Sequence, residues 1–149
     1  MDLKGNEGKL IDKIHRQTDK YMAANRQLIY HVKMNMAPGS PAGFPDVLYE
    51  AKPNNMWIEY KHVGETWAGK RKIPVSKITP NQLNWLRRAV SNEQNCAVVL
   101  GDSDGICVIL QGEEIFNPPA IQAATLYSAK RIAKIIAEIT LGPNFKELK

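Results

Sequence analysis

The chain has 149 residues, 44% hydrophobic and 23% charged, which suits a single globular domain with a sizeable core. Its net charge of +5 and pI near 9.2 permit a polyanionic partner without requiring one. No apolar run approaches the ~20 residues that span a bilayer, and the start MDLKGNEGKL does not read as a signal peptide, so a cytoplasmic protein without a membrane partner is expected.

In chain order, Leu10, Ile11, Ile14, Thr18, Tyr21 and Met22 recur near helical spacing and predict a helix from Glu7 to about Ala24. An alternating, β-rich run predicts the first strand over Gln27 to Met34, and Pro38 to Gly43 is a loop by composition. Asp46 to about Ala51 and Met56 to Val63 predict a hairpin that turns across Lys52 to Asn55. Gly64 to Ile78 is polar and basic and reads as a mobile loop. Thr79 then caps a helix with Pro80 in its first turn and Leu83, Leu86 and Val90 as its buried stripe. Cys96 to Gly101 and Ile106 to Leu110 predict two strands around the turn Asp102 to Gly105. Ile121 to about Leu141 predicts a final helix bearing Lys130, Arg131 and Lys134. The order α-β-β-β-α-β-β-α is that of an α/β domain, a mixed sheet flanked by helices.

Cys96 and Cys107 lie in apolar segments without zinc or redox spacing, and are expected as buried, reduced thiols. Charge is unevenly spread: from Lys61 to Arg88 seven basic residues face one acid, Glu65. Such a segment suits a phosphate backbone, with Lys70, Arg71, Lys72 and Lys77 as the candidate contacts. Trp67 beside them could stack on an unpaired base or simply anchor the loop.

The chemistry turns on two E-x-K triplets, Glu50-Ala51-Lys52 and Glu59-Tyr60-Lys61. Asp46 and Glu50 on one strand lie ~13 Å apart and cannot share a metal ion. Asp46 and Glu59 can, if the hairpin pairs them, and Lys61 projects from the same face as Glu59. Glu50 to Lys52 then reads as a solvated hairpin end. A phosphodiester repels nucleophiles, so its hydrolysis calls for a hard cation on carboxylates and a nearby cationic side chain. Magnesium, with manganese able to substitute, is the expected ion, held by Asp46, Glu59 and the carbonyl of Tyr60, with Lys61 beside it.

Gly43-Phe44-Pro45-Asp46, then Glu59-Tyr60-Lys61, then Thr79-Pro80-Asn81-Gln82 at a helix start, resemble the PD-(D/E)XK (restriction-endonuclease-like) nuclease superfamily. More narrowly they resemble its stand-alone VRR-NUC branch, met in phages and bacteria and close to the Holliday-junction resolvases. The resemblance covers Glu7 to Leu110, and the element order fits that fold. It implies a magnesium-dependent endonuclease with Asp46 and Glu59 as ligands and Lys61 as the catalytic lysine. It also implies a glutamine beside the site on the following helix, matched by Gln82, and a glutamate on the first helix, best matched by Glu7 as a metal ligand. The chain departs from the pattern in the 20 residues between Lys61 and Gln82, where Gly64 to Lys77 reads as inserted.

The expectation is an endonuclease selective for branched or junction DNA, without a small-molecule cofactor. The apolar residues Ile121, Leu126, Ile132, Ile135, Ile136, Ile139 and Leu141 exceed what one helix face needs, which suggests a homodimer. The alternatives are a nuclease for single-stranded DNA or RNA and a catalytically silent nucleic-acid-binding module of the same fold. His62 should point away from Lys61, and His15 and His31 lack ligand spacing.

Overall fold

The computed structural model describes residues 3–25, 29–34 and 43–147. The expected start of the first strand at Gln27 and the expected loop from Pro38 to Ala42 lie outside them. Five strands form one sheet in chain order: β1 (Tyr30–Lys33), β2 (Val47–Glu50), β3 (Met56–His62), β4 (Cys96–Gly101) and β5 (Cys107–Gln111). Pairing is antiparallel except between β3 and β4, which run parallel. That single parallel step needs a crossover, supplied by the helix α2 (Pro80–Ser91). Two further helices, α1 (Leu3–Asn25) and α3 (Ala129–Leu141), complete the fold among the described residues. The expected order and the mixed α/β class therefore hold.

The central strands are buried on both faces while the edge strand β1 is largely exposed, and strand alternation sorts two cores. Val47, Tyr49, Met56, Ile58, Tyr60, Ala97 and Val99 pack against α1 and α3. Trp57, Val98, Leu100, Val108 and Leu110 belong to the opposite core with Leu86 and Ala89 of α2. β4 is buried at every position, so it reads as a continuous apolar run rather than an alternating one. Both cysteines are buried, free thiols.

Two expectations are corrected. The last helix begins at Ala129 rather than Ile121. Tyr127 exchanges two backbone hydrogen bonds with Cys107, at 2.7 and 2.8 Å, which draws the preceding backbone into extended form. Ser128 then caps the helix by accepting from the Arg131 N–H, and Ile121–Ala123 forms only one 3-10 turn. Much of the apolar surplus of this segment is absorbed within the chain, while Leu126 is 46% exposed. Ile132, Ile136 and Leu141 are fully buried, Ile135 and Ile139 pack on the same core, and Ile121 packs on the other.

The second correction concerns Gly64 to Ile78, expected as a mobile loop. Trp67, Ile73 and Ile78 are buried in the α2-side core, and a 3-10 turn spans Val75–Lys77. Backbone pairing of Lys72 with Ala120, and of the Ile121 N–H with the Arg71 carbonyl at 3.2 Å, fastens the segment to the chain beyond β5.

Trp67 is the principal anchor. Its Nε1 donates to the Ile106 carbonyl at 2.9 Å and its backbone N–H to Asp102 Oδ2 at 3.1 Å. Asp102 Oδ1 meanwhile accepts from the Asp104 and Ile106 N–H groups, so one buried carboxylate organises both the β4–β5 turn and the basic segment. This favours anchoring over base stacking for Trp67. Trp67→Ala should cost about 3–5 kcal/mol in urea unfolding. Trp67→Phe, which keeps bulk but removes one of two donors to the Ile106 carbonyl while the Asp102 N–H remains at 2.9 Å, should cost about 0.5–1.5 kcal/mol. Wild-type stability in both variants would return Trp67 to a surface role.

Candidate active site

The β2–β3 register decides the site. Val47 pairs with Ile58, Leu48 with Trp57 and Tyr49 with Met56, so one further step along the register sets Asp46 opposite Glu59. Asp46 accepts the Tyr60 N–H at 2.9 Å through Oδ2, which ties its carboxylate to β3. Glu59 and Lys61, two apart on β3, share the α2-side face, and Lys61 Nζ lies 3.6 Å from Glu59 Oε2. The Tyr60 side chain points the other way, its hydroxyl 2.5 Å from that of Tyr49 in the core; only its backbone borders the site.

α2 brings the fourth group. Thr79 and Gln82 form a reciprocal capping box: Thr79 Oγ1 accepts the Gln82 N–H at 3.2 Å, and Gln82 Oε1 accepts the Thr79 N–H at 3.0 Å. That leaves Gln82 Nε2 to donate to Glu59 Oε2 at 2.9 Å. The helix start is set against the Asp46 turn by a close approach at Gly43, whose φ is +93°. A Cβ there would sit 2.6 Å from the Asn81 carbonyl oxygen. Phe44, Trp57 and Trp85 pack in a triangle with ring centroids 4.9 to 6.1 Å apart, joining the turn, β3 and α2.

Glu7 arrives from the other side of the sheet. Its Oε1 accepts the His62 N–H at 3.2 Å, at the end of β3. The structure thus brings together Glu7, Asp46, Glu59, Lys61 and Gln82. Glu50 and Lys52 are exposed, as a hairpin end would be. The basic segment stands apart: Lys70 is half-buried and paired with Glu65 at 3.2 Å, while Arg71, Lys72 and Lys77 are exposed. Two parts of the site escaped the sequence. The Gly43 close approach has a signal, a glycine heading the turn into Asp46, whereas the bond from the His62 N–H to Glu7 has none, because it joins residues 55 apart.

The electrostatics are those of carboxylates held together in a dry setting. Glu59 is 1% exposed. Burial, then the Asp46 charge, push its pKa up to about 9 against the pull of Lys61. Asp46 is raised by burial and opposed by the Tyr60 N–H; Glu7 is raised by burial and opposed by the His62 N–H. As a carboxylate, Glu59 leaves Oε1 buried with no hydrogen-bond partner. Protonated, it can share a hydrogen bond with Asp46, which raises the Glu59 pKa further. Both forms describe a site short of positive charge.

A divalent cation fits that shortage. Among the described residues no three His, Cys, Asp or Glu side chains close a ready-made cage. Magnesium nevertheless needs only one or two carboxylates and fills the rest of its shell with water. Compared with models of known protein families and with curated protein sequences, the chain matches none.

The raised Glu59 pKa has a stability consequence. The folded chain holds a proton that the unfolded chain releases near pH 4.5, so metal-free stability should fall as pH rises from about 4.5 toward 9. Gln cannot ionise, so Glu59→Gln should become progressively more stable than wild type across that window. Urea titrations in chelator at several pH values check this; a pH-independent difference would contradict the buried, proton-holding carboxylate.

Proposed function

We propose that the protein is a metal-dependent nuclease that hydrolyses phosphodiester bonds in DNA, with a PD-(D/E)XK core. One observation carries the reading: Asp46 and Glu59 are forced side by side in a buried setting, with Lys61 Nζ 3.6 Å from the latter. A purely structural role would not call for this arrangement, since a buried ion pair is often replaced by apolar residues at no loss of stability. The topology supports it. An antiparallel β1–β2–β3 unit preceded by a helix, then a helical crossover to a parallel β4, is the element order that the motif resemblance implies.

In this reading Asp46 and Glu59 hold the cation, with Glu7 and the Tyr60 carbonyl within the same neighbourhood as further oxygen donors. When bound, the ion supplies the charge neutralisation and water activation that phosphodiester hydrolysis needs. Gln82 holds Glu59 by Oε2, which keeps the unpartnered Oε1 available for ligation. Lys61 stabilises the negative charge that grows on the nonbridging phosphate oxygens. Deprotonation of Glu59 must accompany ion binding, so affinity for the cation rises with pH toward the Glu59 pKa of about 9.

Selectivity for branched or junction DNA, and a two-fold homodimer to match a junction's symmetry, rest on the resemblance alone. The apolar residues of α3 add little to it, because Ile132, Ile136 and Leu141 are buried in their own chain and Ile135 and Ile139 pack partly on the same core.

Lys61→Ala should lower cleavage about 10²–10³-fold while leaving DNA affinity close to wild type, since phosphate contacts elsewhere supply affinity. Glu59→Gln should abolish magnesium-dependent cleavage, and the hairpin-end control Glu50→Gln should cut normally. Nicking and cleavage of linear, flap, fork and four-way DNA read the outcome. Undiminished cutting by both site variants would sink the assignment; DNA binding by wild type without any cleavage would favour a silent binding module.

A further inference from the structure

α1 sorts its charges in a way that neither the core nor the carboxylate site explains. Its inward face is apolar, with Leu10, Ile11, Ile14 and Tyr21 buried. Its outward face divides into two flanks. The acids Asp12 and Asp19 lie toward β1, paired with Lys33 and His31, each at 3.3 Å. Lys9, Lys13, Arg16 and Lys20 lie on the other flank, all exposed, and no ion pair engages them among the described residues. At 3.6 residues per turn these four fall within about 60° of arc and span about 16 Å along the axis. Like charges three and four residues apart along the ridge are offset by Asp12 and Asp19 at the same spacings, so local helix energetics do not account for it.

The ridge leads into a cleft of about 180 Å³ between α1 and the β4–β5 turn. Lys9, Lys13, His62 and Ser103 are among its walls. Lys13 Nζ reaches over the turn, 4.0 Å from where a Cβ on Gly105 would sit. Asp102 also lines the cleft, but both its oxygens are taken by backbone N–H groups of Trp67, Asp104 and Ile106. His62 Nδ1 is buried with no hydrogen-bond partner. His62 directly follows Lys61, and its own N–H binds Glu7, so the cleft adjoins the carboxylate site.

We propose that this cleft and ridge form a phosphate track, along which a nucleic-acid strand runs from the site onto α1. The proposal rests on the nuclease reading and names a surface for its substrate that lies apart from the basic segment after β3. A row of about 16 Å matches roughly five duplex steps at 3.4 Å each. A membrane surface fits poorly, because among the described side chains of α1 the large apolar ones, Leu10, Ile11, Ile14 and Tyr21, are buried in the core and none faces outward for insertion.

The test is a quadruple variant, Lys9→Gln, Lys13→Gln, Arg16→Gln and Lys20→Gln. Its affinity for labelled duplex, forked and single-stranded DNA is measured by anisotropy over a salt series in EDTA, where nothing is cut. Four lost contacts should reduce the slope of log affinity against log salt by about 3.6 on duplex and about 2.8 on single strands. The thermal midpoint should stay close to wild type, since the like-charge pairs removed are balanced by the lost pairs with Asp12 and Asp19. Replacing the three lysines with arginine should preserve the slope. An unchanged slope in the neutral variant, or an equal loss in the arginine set, overturns the track. Wild-type cleavage, assayed separately in magnesium, tells that failure from failure of the nuclease reading; a wild-type chain that binds no DNA sinks both.

Discussion

Two acidic side chains that cannot both be charged without repelling each other sit across one hairpin, and the rest of the site is built around holding them there. Asp46 and Glu59 are placed by the β2–β3 register, not by attraction, and burial removes the water that would otherwise screen them. A one-residue slip would turn every side chain of β3 to the opposite face and disperse the set. The register is resisted from slipping because Val47, Tyr49, Met56, Ile58 and Tyr60 are fully sequestered against α1 and α3. The core on one face thus maintains charge repulsion on the other.

Gln82 couples that repulsion to helix formation. Its amide is used twice, Oε1 on the Thr79 N–H and Nε2 on Glu59, and the two bonds admit one orientation of the group. The start of α2 cannot shift without releasing Glu59, and Glu59 cannot move without weakening the cap. Gly43 against Asn81 and the Phe44–Trp57–Trp85 triangle fix the remaining freedom between the Asp46 turn and that helix. Stability is given up locally at Glu59 and recovered around it, the pattern expected where a site is strained for use.

What could be read from the sequence followed from periodicity and short spacing. Strand alternation put Glu59 and Lys61 on one face, the midpoint of the hairpin paired Asp46 with Glu59, and Thr79-Pro80 marked the start of α2; β4 also falls where its apolar run predicts. The basic segment misled because Trp67, Ile73 and Ile78 follow no regular period, so their shared burial depends on Asp102 and Ile106 far along the chain. The α3 boundary misled for a similar reason. Residues 121–128 are apolar enough to continue a helix, yet Tyr127 is recruited by Cys107 into an extended pairing that no local pattern signals. The Glu7 contact likewise depends on where α1 lies over the sheet rather than on its own sequence.

The location of the site explains why cations should be wanted on both faces of the sheet. Lys61 and His62 close β3 at its C-terminal end, where α2-side residues (Glu59, Lys61, Gln82) and α1-side residues (Glu7, His62) meet around one edge. On the proposed reading, a polyanion bound at that edge would extend past it in two directions, each with its own field. One leads to Arg71, Lys72 and Lys77 on the segment packed with α2, the other to Lys9, Lys13, Arg16 and Lys20 on α1. On that reading the region around the carboxylates would have to stay poor in positive side chains, leaving room for a bound cation, and Lys61 alone already lowers the Glu59 pKa. Positive charge placed outside the carboxylate cluster on two surfaces, with one lysine inside, reconciles those demands. On the proposed nuclease reading, affinity would come from the flanks and chemistry from the edge between them, so the two could be altered separately.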